Sequence, residues 1–120
     1  MEDIRQEQRE ALQALTEYSP KLLKNMGIIV KELSGARMDD TDNFLEAIVK
    51  GMNWEIQVLN GTMDYINEDK IRIDKEKANS LFIEFSAAYK EKNDSKLAAI
   101  FAERVIPFFE TLQAAAEEKK

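Results

Sequence analysis

Gly51, Trp54, Val58, Gly61 and Tyr65 recur at steps of three and four along one stretch of the chain, and the chemistry such a set can do is association. On a helix these residues share one side, where two glycines leave a shallow recess beside two aromatic edges. A surface of that shape suits a partner helix, so the five residues form the candidate partner-binding site. The competing reading is that the helix touches two neighbours of its own bundle, with Trp54 in the core or at its boundary. A polar strip steps in parallel through Glu46, Lys50, Asn53, Gln57, Asn60, Asp64 and Asn67. Its central amides can donate and accept hydrogen bonds, although solvent exposure is the plainer explanation. Met26, Met52 and Met63 offer adaptable apolar surface, with ordinary core filling as the simpler role.

Catalytic chemistry has fewer starting points. The chain contains no cysteine and no histidine. Those absences remove thiolate and imidazole metal ligands, the cysteine nucleophile, the usual general base near neutral pH, and every Ser-His or Cys-His arrangement. Carboxylate-bridged di-metal sites occur in helical bundles, but they combine Glu with Glu-x-x-His pairs, which this sequence lacks. The Asp39, Asp40 and Asp42 cluster does not have the EF-hand spacing and suits the start of a helix better. No catalytic residue, metal site or cofactor is expected, and the chain is expected not to be an enzyme.

The net charge of −6 opposes nucleic-acid binding, which needs a concentrated basic surface. The lysines of 70–77 and 90–96 are interleaved with Glu and Asp, so they read as solvated connections. No apolar run is long enough to span a bilayer, and the acidic start Met1-Glu2-Asp3 is unlike a secretory signal. A cytoplasmic location is expected, with a protein partner or a second copy as the binding target.

These residues must be positioned by helices, because glycine and proline are scarce and β-branched alternation is nearly missing. The reading is a single domain over residues 1–120, an all-α antiparallel four-helix bundle with proline-kinked first and last helices. The first helix uses Ile4, Ala11, Leu15, Tyr18, Leu22, Met26, Ile29 and Leu33 and stops at Ser34-Gly35. Its register crosses Ser19-Pro20, where the proline either kinks one long helix or breaks it into two. The second starts near Asp40 to Asp42 and ends around Asn67 or Glu68. Its seam reads Leu45, Val49, Met52, Ile56, Leu59, Met63 and Ile66, beside the second stripe that carries Trp54. Glu55 and Thr62 fall between the two stripes. Ile71 and Ile73 in the next connection are placed to pack over the bundle end. The third helix begins at an Asp74 cap and shows Ala78, Leu81, Phe82, Phe85 and Tyr89. The fourth follows the caps of Asn93-Asp94-Ser95, uses Leu97, Ile100, Phe101, Val105, Phe108 and Leu112, and bends at Pro107. Of the neighbouring rings Phe108 and Phe109, one is expected to enter the core.

The segment Asn53 to Gly61, followed by Val105-Ile106-Pro107, resembles uncharacterised small helical proteins of Gram-positive bacteria, a similarity that implies no activity. In size, acidity and helix count the chain resembles the small cytoplasmic helical-bundle chaperones of bacterial export, in particular the flagellin export chaperones. That resemblance implies a chaperone-like or adaptor bundle that binds a protein, and it assigns no individual residue. The expected function is a non-enzymatic interaction module that binds a partner helix, or self-associates as a homodimer, through the second helix. The alternatives are a small-molecule or metal-binding bundle and a structural homo-oligomer subunit.

Overall fold

The computed structural model describes residues 3–120, so the acidic Met1-Glu2 start lies outside the described residues. Among those residues the secondary structure is entirely helical: α1 spans Asp3–Leu33, α2 Thr41–Ile66 and α3 Lys75–Glu91. The last helix, α4, runs without interruption through Asp94–Ile100, a π turn at Phe101–Val105, and Ile106–Lys119. Pro20 sits inside α1 and does not divide it.

Cross-helix contacts fix an up-down-up-down order. Arg5 reaches Asp64 and Glu68, while Thr41 donates to Glu32, so α1 and α2 are antiparallel. Phe82 meets Phe108 and Phe85 meets Phe101, so α3 and α4 are antiparallel too. Arg37 binds Asp94 at one end, and Arg5 and Lys119 both lie over the Tyr65 ring at the other, which sets α4 antiparallel to α1. A 31-residue helix is about 46 Å long. That matches the 49 Å long axis of the molecule, so α1 sets its length.

The inward residues of α1 are Gln8, Leu12, Leu15, Ser19, Leu22, Met26, Ile29 and Leu33, an unbroken alternation of four- and three-residue steps. The inward face of α2 does the same through Thr41, Leu45, Ile48, Met52, Glu55, Leu59, Thr62 and Ile66. This is the 3.5-residue period of helices that cross at a shallow angle. Full burial of each aliphatic member contributes about 1.5–3 kcal/mol relative to exposure. The α2 seam differs from the sequence reading at three positions. Val49, Ile56 and Met63 are only half-buried, and Ile48, Glu55 and Thr62 take the inward places.

The π turn has two causes in the sequence. Pro107 has no N–H and its ring crowds the carbonyl four residues back. Ile106 N–H bonds Phe101 O instead, widening the ring of the hydrogen bond by one residue. The buried positions Leu97, Phe101, Val105 and Phe109 are also four apart three times running. In a regular helix each such step advances the stripe by about 40°, and the wider turn removes the drift. Phe109 is thereby buried, and Phe108 rests at the boundary against Phe82.

The joints follow side-chain capping. Asp74 accepts from Lys77 N–H at 3.1 Å and Asn93 from Lys96 N–H at 3.0 Å. The start of α2 is held differently, since Asp40 makes no side-chain cap. Buried Thr41 accepts from Met38 N–H at 2.8 Å and donates to Glu32 at 2.7 Å. In the connection from α2 to α3, the Asn67 side chain accepts from the N–H of Arg72 and Ile73 and donates to Ile73 O. Ile73 is buried by this turn, while Ile71 is left in solvent.

Candidate docking groove and the polar seam beneath it

The five sequence-predicted site residues do not form one surface. Trp54 is 38% exposed and packs edge-to-face on Tyr18 of α1, with ring centroids 5.7 Å apart. Gly51 is buried beneath that same tyrosine, and a Cβ there would overlap the Tyr18 hydroxyl. Glycine at 51 therefore lets Tyr18 lie across α2, and offers a partner nothing. Tyr65 is also turned inward, with Arg5 at 5.1 Å and Lys119 at 4.3 Å from its ring centroid. Its role is to join three helices at one end of the bundle. Gly51 and Tyr65 thus leave the candidate set because the bundle itself covers them.

Trp54, Val58 and Gly61 remain together. With Ile4, Gln8 and Ala11 of α1 they line a groove of about 370 Å³ between the two helices. Ala11 and Gly61 are the small members of its lining, and nothing stands within 4 Å of where a Gly61 Cβ would be. Ile4, 60% exposed, lies on one flank and Trp54 on the other, with Glu7 and Gln57 supplying polar lining. Gln8 fixes the helix pair at this point, donating to Gly61 O at 3.1 Å and to Asp64 at 2.9 Å. Asn53 and Asn60 are in solvent, and of the amide strip only Gln57 reaches the groove.

Behind the Tyr18–Trp54 pair lies a buried carboxyl that the apolar pattern does not announce. Glu55 has no exposed surface, and Ser19 donates its hydroxyl to both carboxylate oxygens, at 3.0 and 3.2 Å. Burial pushes the Glu55 carboxyl up to about 7, and the serine hydroxyl opposes the rise. Burial, with the Glu55 charge adding to it, also raises the Tyr18 phenol above its ordinary range. The available clue was spacing: Glu55 and Thr62 complete the four-three alternation of Leu45, Ile48, Met52, Leu59 and Ile66. Thr62 satisfies its own hydroxyl on Val58 O at 2.7 Å.

A second concavity occupies the opposite end of the molecule. Arg37, in the α1–α2 connection, binds Asp94 through two nitrogens at 2.7 and 3.2 Å and Asp42 at 2.9 Å. The guanidinium holds the Asp94 carboxyl below the usual carboxylate range. Beneath this clamp is a cavity of about 630 Å³, bounded by Leu45 and Glu46 of α2, Tyr89, Lys90 and Lys92 at the end of α3, and Leu97 of α4. Lys92 adopts a left-handed backbone, with φ of 54°. For a residue with a side chain this costs about 1–2 kcal/mol. Among the described residues no three acidic side chains converge in the manner of a metal site, and no helix is long and apolar enough to cross a membrane.

Fold and geometry together define an all-α four-helix bundle whose first two helices form an open, partly apolar groove. Residues 10–115 match the family model described as a domain of unknown function, DUF8042, and the chain belongs to that family. No curated protein and no solved structure matches it.

Proposed function

We propose that this chain is a non-enzymatic interaction module whose α1–α2 groove receives an amphipathic helix of a partner protein. The observation that carries the reading is Trp54, more than a third exposed beside a recess that Ala11 and Gly61 help to line. An aromatic edge next to small residues gives an incoming apolar side chain both a wall and space. Apolar burial supplies affinity, and the acidic charge of the chain selects against acidic partners. The likeness in size and helix count to cytoplasmic export chaperones supports a chaperone-like or adaptor role in the cytoplasm. A second copy of the chain in the same groove, giving a homodimer, is the variant of this reading that self-association experiments separate.

The test substitutes Trp54→Lys. Circular dichroism should retain full helicity, because the ring lies at the surface, while capture of the partner or sedimentation as a dimer should be lost. Unfolding of the variant would assign Trp54 to the core and remove the groove from consideration. The same indole reports on the native chain through its emission maximum. A maximum that moves red on dilution shows a copy leaving the groove. One that stays red throughout shows a monomer with the groove open.

A further inference from the structure

We propose that the cavity beneath Arg37 binds a small molecule with a flat apolar body and one carboxylate-type anionic group, the anion held by Lys90 and Lys92. The cavity, about 630 Å³, falls in the size range of small-molecule sites and combines an apolar wall with a few charged groups. Leu45, Leu97 and the Tyr89 ring supply that wall, and Tyr89 is itself stacked on Phe85, with planes 11° apart. A ring or fused ring presented flat to Tyr89 would extend this stack.

The sign of the ligand follows from which charges are already spoken for. All three carboxylates of the lining have cationic partners: Asp42 and Asp94 share Arg37, and Glu46 pairs with Lys50 at 3.4 Å. The Arg37 trio keeps one negative charge in excess, while Lys90 and Lys92, which have no ion pair among the described residues, supply two positive charges, so the balance is one positive charge. Lys92 adds an independent observation. It stands just after α3, where the left-handed backbone favours glycine, yet the chain places a long cationic side chain there. The Arg37 clamp ties the starts of α2 and α4 together, so the wall and the two lysines sit on a preformed frame.

The test is a ¹H–¹⁵N NMR titration of the full chain with naphthalene-2-carboxylate and, separately, naphthalene-2-carboxamide, which has the same body without the charge. The expected result is saturable shifts at Leu45, Tyr89, Lys92 and Leu97, with the carboxylate binding about tenfold more tightly than the amide, the value of one charge-assisted contact. Lys92→Gly and Lys90→Gln should each weaken the carboxylate about fivefold and leave the amide unaffected. Glycine suits the backbone at 92, so that variant keeps the fold at full stability and its loss of affinity reports on the ammonium alone. Equal affinity for the two probes, shifts confined to Ile4, Trp54 and Gly61, or no saturation would each overturn the proposal. The site is independent of the α1–α2 groove: Trp54→Lys should abolish partner docking and leave the carboxylate titration unchanged.

Discussion

Glu55 is the residue at which the physics of this chain is most exposed to experiment. Its carboxyl, ordinarily near 4.5, is pushed up to about 7 by burial in the α1–α2 seam. Between those two values the folded chain binds more protons than the unfolded chain, so stability falls as pH rises from about 4.5 to 7 and then levels. A difference of that size corresponds to about 3 kcal/mol, a large share of what holds a domain of this length together. Glu55→Gln keeps the shape and can still accept from Ser19, but it does not titrate. In urea unfolding the variant should exceed the parent by about 3 kcal/mol at pH 8 and match it at pH 4. An identical pH dependence for both chains would show that the carboxyl is solvated. The two glycines of α2 make a second, opposed pair. Gly61→Ala adds a methyl into open space and should raise stability by about 1 kcal/mol through helix propensity. The same methyl enters the groove, so partner affinity should fall although the fold is stronger. Gly51→Ala meets Tyr18, so any propensity gain is offset as the phenol swings away, and the Trp54 emission should shift with it.

At the scale of elements, legibility divides along hydrophobicity. The four helices, their antiparallel order and the Asp74 and Asn93 caps were readable, because apolar periodicity and capping chemistry are local. The rotation of α2 was not. An apolar scan assigns Val49, Ile56 and Met63 to the seam since they are apolar, whereas the native packing chooses Ile48, Glu55 and Thr62. Half of Ser19–Glu55 sits on each helix, so neither segment alone reveals that a buried partner exists. A buried polar pair within a largely apolar seam is a device for fixing register, which gives the tertiary structure a reason to override the local pattern. The end cavity was hidden for a related reason, as its lining comes from four separate segments. In α4 the proline was visible, but the phase of Phe101, Val105 and Phe109 also calls for an extra residue. If both causes act, deleting exposed Ala102 together with Pro107→Ala should convert the π turn to regular helix with Phe101 and Phe109 still inward. Thermal midpoint should then stay within a few degrees of the parent, whereas deletion of exposed Lys24 in α1, which has no extra residue to give up, should unfold the chain.

The whole molecule is held unevenly, and that inequality predicts its motions. α1 is packed along its length by α2 and α4, and both ends of this trio are tied, by Arg37 at one end and by Tyr65 between Arg5 and Lys119 at the other. Arg72 bonds Ile66 O, Asp69 and Glu118, anchoring the turn that leads into α3. Beyond that anchor α3 leans chiefly on the first part of α4, with Phe85 against Phe101, and its outer face, with Ile83 72% exposed, has no neighbour among the described residues. Local opening costs least where it uncovers the least apolar surface, so α3 should open before the α1–α2–α4 core. Amide exchange measured by mass spectrometry should therefore be fastest in the peptides of 75–91 and slowest in those of 12–33 and 45–66, with the global unfolding free energy seen only in the latter. Phe85→Ala, which removes one of the few side chains pinning α3, should speed exchange in 75–91 well beyond its effect on 12–33. Protection of α3 equal to that of α1 in the native chain would mean that its outer face is covered in solution. The concentration dependence of that protection would then identify a second copy as the cover.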